Sequence, residues 1–391
     1  MEIVVTGVGV VSALGIGVDS NLAAIRQGVS GISSLPAILR TTNKLPVGEL
    51  RMTNEELHHR CGISPDEHLS RTALLGILAA REAMSCIDVD FSKRVGLVSS
   101  TSVGGMDLTE HFFESFMESD KGGRLRDVRM HDCAASTEVI ARHCGINGYT
   151  TTISTACSSA ANAVIAGAKL LKHNIVDYVV VGGCDALSAF TLNGFKSLMI
   201  LDENPCRPFD ASRAGLNLGE GAGYLLLQRM CDVDSYYCRL GGYSNRNDAH
   251  HQTASSAEGN GAYQAMSEAL QMANVSPSEV DYINAHGTGT GNNDASESAA
   301  FVRLFGENVP PFSSTKGFVG HTLAAAGGVE AVLSVMAIKC GCRYPNLNFS
   351  TPISEYGLCP IVRYEEGVVV DNVLTNSFGF GGNCSSLLFS R

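Results

Sequence analysis

Cys157 sits in Ser154-Thr155-Ala156-Cys157-Ser158-Ser159-Ala160, a run of small residues leading into an apolar stretch of helical character. A thiol at a helix start faces free backbone N–H groups and the positive end of the helix dipole, which favours the thiolate and sharpens the nucleophile. His286, in Asn284-Ala285-His286-Gly287-Thr288-Gly289-Thr290, follows an apolar strand directly. His321 comes after SSTKGFVG and leads into an Ala/Gly-rich helix, so it too stands at a strand-to-helix junction, where α/β proteins place their sites. Residues 376–383, NSFGFGGN, read as a strand entering a glycine turn whose N–H groups can hold an oxyanion. Each feature alone has an ordinary explanation: a packed thiol, a satisfied histidine, a plain hairpin. Two histidines in matched settings beside a helix-start cysteine outweigh those explanations.

The elements that must carry these residues alternate between strand and helix. Spacing predicts a helix over 71–85, a buried strand over 95–99, a helix apolar nearly all round over 160–171, and a covered strand over 177–181 closed by Gly182 and Gly183. A second set follows: strands at 239–243, 282–285 and 311–314, helices at 262–273 and 324–339. Residues 104–132 read as a polar, flexible surface stretch. The opening MEIVVTGVGVV predicts a short strand at 3–5, then a glycine turn at Gly7 and Gly9. That turn lacks the third glycine and the following acidic residue of a dinucleotide site. No linker rich in Pro, Ser or charge separates the halves, so the expected organisation is residues 1–235 and 236–391 fused into one body.

Composition removes several classes of function. Of 391 residues, 45% are apolar and 17% charged, which suits a packed globular chain rather than a disordered one. Lys plus Arg number 28 against 39 Asp plus Glu, a net charge of -11 without a basic block, so nucleic acid is not an expected ligand. The 13 Cys form no CxxC and the 11 His no metal-binding spacing, so no metal site is expected and most thiols are read as reduced core residues. No stretch reads as membrane-spanning and no basic leader opens the chain; a soluble, cytoplasmic protein is expected.

Taken together, the segments VVTGVGVVSALG, STACSSA, GGCDALS, RPFDASRAGLNLGEGAG, NAHGTGTGNNDASES, SSTKGFVGHTLAAAGGVE and NSFGFGG resemble, in order and over essentially the whole chain, the elongating β-ketoacyl-acyl carrier protein synthases. The resemblance implies the duplicated thiolase fold, a five-layered α-β-α-β-α body, commonly a homodimer. It implies a decarboxylative Claisen condensation between an acyl-enzyme thioester and a malonyl group on acyl carrier protein, without metal or redox cofactor. Cys157 then resembles the acyl-accepting nucleophile, and His286 and His321 the pair acting on the extender. The N–H groups of Cys157 and Phe380 resemble the oxyanion hole, and Phe380 also the gate between acyl and extender chambers. Lys316 and Glu297 resemble a supporting ion pair, and Thr288 and Thr290 the hydroxyls that bind the pantetheine arm. The two-histidine set is unlike the Cys-His-Cys of degradative thiolases and the Cys-His-Asn of initiating synthases.

Several positions depart from the family pattern: Asn383 and Cys384 after the last glycines, Leu216 for Phe, Asp185 for Glu, and a short segment between Leu198 and Arg207. They point away from housekeeping fatty-acid synthesis, towards specialised polyene or polyketide pathways. The competing reading is a non-catalytic chain-length-factor-like subunit of a heterodimer, against which Cys157 and both histidines argue; an unrelated Cys-His hydrolase is more remote. The implied partner is an acyl carrier protein, for which Lys121, Arg124, Arg126 and Arg129 form a candidate basic docking cluster.

Overall fold

The computed structural model describes all 391 residues. Its ten principal strands are β1 (Ile3–Ser12), β2 (Val95–Ser100), β3 (Thr150–Ile153), β4 (Tyr178–Asp185), β5 (Gly221–Arg229), β6 (Cys238–Asn247), β7 (Tyr282–Asn284), β8 (Phe312–Ser313), β9 (Asn372–Gly379) and β10 (Asn383–Ser390). The hydrogen-bonded path runs β8-β7-β9-β10-β6-β1-β5-β4-β2-β3. The first five strands thus lie in the order 3-2-4-5-1, and the second five repeat that order. In each set the first three are parallel and the rest antiparallel. The sets join through only two residue pairs of β1 and β6, Val4 with Arg239 and Val5 with Cys238.

Five helices build the layers: α1 (Arg71–Ser85), α2 (Ser159–Lys172), α3 (Asn260–Ala273), α4 (Gly291–Phe305) and α5 (Ala326–Cys340). The period-2 geometry of each strand sorts its side chains between two cores. Val179, Val181, Leu225 and Leu227 join α2, α5 and the β9 and β10 residues Val373, Leu387 and Phe389 in a central core. Val180, Tyr224 and Leu226 face α1 in a second, and Ile283, Leu374 and Leu388 face α3 and α4 in a third. Three cores separated by two sheets make the α-β-α-β-α body implied by the resemblance.

Close packing explains several glycines. Gly7 and Gly9 lie inside β1, not in a turn after it: a Cβ at Gly7 would sit 1.9 Å from the Ala83 oxygen, and one at Gly9 2.0 Å from that of Ala79. They let α1 lie against the strand, which therefore runs ten residues instead of three. Likewise β4 continues through Gly182 and Gly183 to Asp185. The polar segment 104–132 holds a thirteen-residue helix, Met106–Glu118, and a short one, Leu125–Val128. Leu323–Cys340, at mean hydropathy 1.6, is long and apolar enough by composition to cross a bilayer, but it carries Glu330 and Lys339 and is 89% buried within the fold, as a core helix is. All 13 cysteines are free and most are buried.

Candidate active site

Cys157 stands at a turn between β3 and α2. Ala156 before it is left-handed, φ 52°, an arrangement costing a non-glycine residue about 1 kcal/mol and held by its surroundings. Ser159 fastens the turn, its hydroxyl accepting from the Thr155 N–H at 2.8 Å and donating to the Ala156 carbonyl at 2.6 Å. Across from it runs the β9–β10 connection. A Cβ at Gly379 would meet Cys157 N at 3.0 Å and Thr155 O at 3.1 Å, so only glycine lets that connection approach. The approach aims the N–H of Phe380, together with that of Cys157 itself, at the sulfur. These are the two donors expected of an oxyanion hole.

The thiol's own ionisation departs from expectation. Burial pushes the Cys157 pKa up to about 11, against the smaller lowering effects of Lys316 and the two N–H groups. Desolvation disfavours the thiolate more than the helix start favours it, so in the resting site the sulfur carries its proton.

His286 and His321 face one another edge to face, ring centroids 5.4 Å apart, both buried. The backbone of His321 is stitched to the Asn217–Gly219 segment by N–H···O bonds of 2.8 and 2.9 Å, which gives the RAGLNLGEGAG stretch a positioning duty. The His321 Nδ1 accepts the N–H of Leu323 at 3.2 Å. The His286 Nδ1 lies 3.3 Å from Lys316 Nζ, which as an ammonium only donates. With both Nδ1 atoms accepting, each neutral ring carries its proton on Nε2. Burial first, then Lys316, holds both pKa values well below the usual histidine range. The site therefore offers two neutral N–H donors.

The ion pair expected between Lys316 and Glu297 is not formed. Lys316, 1% exposed, pairs with Glu330 on α5 and donates to the His286 carbonyl at 2.6 Å. Glu297 instead accepts the N–H groups of His286 and Gly287 at 2.9 and 2.8 Å and the Asn376 amide at 3.1 Å, fastening the His286 loop. Asp294 does the same for Gly289. Burial pushes both Glu297 and Glu330 up to about 7. Glu330 had a signal in the sequence: it is the lone charge in the first three turns of an otherwise small and apolar helix.

Two cavities meet at Cys157 and Phe380. One, of about 180 Å³, is lined by Cys157, His286, His321, Thr288, Thr290 and Phe380 among others, so these predicted residues share one space. Thr288 and Thr290 hydroxyls lie 2.9 Å apart, and Thr290 also caps α4 through the Asn293 N–H. The other cavity, of about 380 Å³, is almost wholly apolar, with Val103, Phe190, Phe195, Leu198 and Leu323 in its wall. Phe380 stacks on Phe195 at 6.0 Å, a partner unread in the sequence, and forms the partition. Lys121, Arg124, Arg126 and Arg129 are all exposed.

A doubled α/β body whose halves meet around a cysteine and two histidines defines the thiolase-like class of proteins. Within it, the chain belongs to the β-ketoacyl synthase family: the Beta-ketoacyl synthase N-terminal domain matches residues 1–232 and the C-terminal domain residues 237–350. The chain is 31% identical to a 3-oxoacyl-[acyl-carrier-protein] synthase 2 of Staphylococcus aureus, covering 100% of this chain and 98% of that protein. Among solved structures it is similar to the ishigamide ketosynthase/chain length factor (TM-score 0.93, 28% identity, 100% of this chain and 99% of that one). It is also similar to a ketosynthase in complex with its chain length factor from Xenorhabdus doucetiae (TM-score 0.85, 32% identity, 100% and 98%).

Proposed function

We propose that this protein is a catalytically active 3-oxoacyl-[acyl-carrier-protein] synthase that extends a carrier-bound acyl chain by two carbons. The observation that carries this reading is one cavity holding Cys157 and two Nε2–H imidazoles, separated by Phe380 from an apolar chamber. A non-catalytic subunit has no use for such a set. On this reading residues 1–235 supply the nucleophile and residues 236–391 the histidines.

In the first half-reaction the Cys157 sulfur attacks the thioester carbonyl of acyl carrier protein. The Cys157 and Phe380 N–H groups hold the oxyanion, and the thiol proton leaves with the pantetheine sulfur. With its high pKa, the thiol loses that proton during attack rather than before it. The chain then lies in the apolar chamber. In the second, malonyl-carrier protein enters past Thr288 and Thr290, and its thioester oxygen accepts from His286 and His321 Nε2. The bond to the carboxylate breaks, carbon dioxide leaves, and the electron pair becomes an enolate. Each such donor is worth roughly 3 to 4 kcal/mol of barrier. The enolate carbon attacks the acyl carbonyl, the new carbon–carbon bond forms and Cys157 is expelled as a thiolate, which takes a proton from solvent to restore the resting thiol. No metal or redox cofactor takes part in these steps.

The partner is an acyl carrier protein, met by the exposed Lys121, Arg124, Arg126 and Arg129, and the working unit is a dimer, homomeric or paired with a chain-length-factor subunit. The departures at Asp185, Leu216, Asn383 and Cys384 favour polyene or polyketide work in the cytoplasm over housekeeping lipid synthesis. The test is intact-mass analysis of wild type and Cys157→Ala with carrier proteins bearing saturated or conjugated chains, then malonyl-carrier protein. Acylation of Cys157 followed by growth of two carbons with carbon dioxide release is expected. A wild-type dimer that takes no acyl mass from any chain would move the protein to the chain-length-factor role.

A further inference from the structure

At the end of β4, Asp185 is wholly buried and gathers donors from two segments distant in the chain. From the stretch after β2 it accepts the Thr101 hydroxyl, the Ser102 hydroxyl at 2.6 Å, and the N–H groups of Ser102 at 3.1 Å and Val103 at 3.4 Å. From the turn after His321 it accepts the N–H of Ala324 at 2.8 Å. Leu323, immediately before Ala324, is left-handed with φ 54°, a backbone state a leucine keeps only when its neighbours enforce it. The Leu323 N–H is the group that donates to Nδ1 of His321. Asp185 therefore holds one side of a strained turn whose other side sets the His321 proton on Nε2.

We propose that Asp185 is a positioning residue for the decarboxylation half-reaction, acting through the Leu323 turn on the tautomer and orientation of His321. The role depends on the condensation proposed above. Without the carboxylate acceptor the Ala324 N–H is left buried and unpaired, and the turn relaxes towards right-handed geometry. Leu323 N–H then leaves Nδ1, and the imidazole is free to carry its proton there. A bare Nε2 lone pair cannot donate to an enolate oxygen. Acylation of Cys157 uses the N–H groups of Cys157 and Phe380 and is spared.

The two half-reactions are measured separately in the full-length protein: acyl transfer to Cys157 by intact mass, and carbon dioxide released from malonyl-carrier protein. Asp185→Asn keeps the volume but has one acceptor oxygen, so it cannot serve donors on both sides. It is expected to slow carbon dioxide release about 10- to 100-fold, less than the roughly 100- to 1000-fold of a donor removed outright because the ring is misaligned and not deleted, with acylation within about twofold of wild type. Asp185→Glu, with both acceptors and the side chain the family pattern usually has here, is expected to recover most of the loss. The 15N shifts of His321 report its tautomer without turnover, Nδ1 unprotonated in wild type and protonated in Asp185→Asn. Equal loss in both half-reactions, no loss in either, or an unchanged His321 tautomer overturns the role. Should Asp185→Asn fail to fold by circular dichroism, Asp185→Ser takes its place; failure of both to fold makes Asp185 a stability residue and overturns it too. A wild type that neither takes acyl chain nor releases carbon dioxide, with the tautomer shift still seen, defeats the condensation reading instead.

Discussion

Lys316 and Glu330 form a buried ion pair beside His286 and His321, with the ammonium 3.3 Å from Nδ1 of His286. The lysine does two things at once: its donors fix the His286 tautomer, and its charge adds to burial, the larger cause, in keeping both rings neutral. Removing one partner of such a pair strands the other. Lys316→Ala is expected to cost about 3 to 5 kcal/mol in urea unfolding and to raise the histidine pKa values only part of the way, since burial, the larger cause, remains. The acid limb of carbon dioxide release should then move to higher pH than in wild type while staying below the ordinary histidine value of about 6.5.

Glu297 offers a pH signature of its own. Its carboxyl titrates at about 7 in the fold against 4.5 unfolded, so the folded state keeps a proton that the unfolded state has lost. Stability contributed by this group is full below the unfolded value and declines as pH rises through 4.5 to 7. Glu297→Gln removes that decline. The difference in unfolding free energy between variant and wild type is expected to shift in the variant's favour over this window, by roughly 3 kcal/mol at most at 1.36 kcal/mol per pKa unit. Denaturant midpoints at several pH values measure it; a constant offset would place the buried proton elsewhere.

The high pKa of Cys157 predicts its reactivity. Iodoacetamide modification at this position, followed by peptide mass, should keep rising about tenfold per pH unit to beyond pH 9, with no plateau near 8.5. Lys316 lowers the Cys157 pKa, so Lys316→Ala should slow the reaction at any pH below that plateau.

Gly379→Ala probes the oxyanion donors without touching a polar group. The glycine has φ -116°, open to any residue, so the only obstacle is the new methyl against Cys157 N and Thr155 O. Pushing the strand end away carries the Phe380 N–H off the sulfur. Acylation should fall on the order of 100-fold, the effect of losing one oxyanion donor, while the fold survives. Unchanged acylation would remove Phe380 N–H from the mechanism.

Phe380→Ala should open the partition between the two cavities and release the Phe195 ring. Wild type is expected to couple carbon dioxide release to acylation of Cys157. The variant should release it from malonyl-carrier protein with Cys157 unloaded, at a rate comparable to that of the loaded enzyme.

Much of this protein was legible in the residues. The order and wording of seven segments carried the doubled fold, because each encodes a local event: glycines at a close approach, small residues into a buried helix, a histidine at a strand end. The helix 71–85 and the apolar helix after Cys157 follow from spacing alone, since periodicity is a property of neighbours in sequence. What the tertiary structure decided are matters of distance between segments far apart in the chain. The resemblance pairs Lys316 with Glu297, and only the packing of α5 under the His286 loop gives the lysine Glu330 and turns Glu297 to backbone N–H groups. The helix start at Cys157 argues locally for a thiolate, but burial between two sheets, which no local pattern contains, reverses it. Gly7 and Gly9 read as a turn until α1 lies across them. Short-range geometry is written in neighbouring residues; desolvation and pairing depend on which distant surfaces the fold brings together.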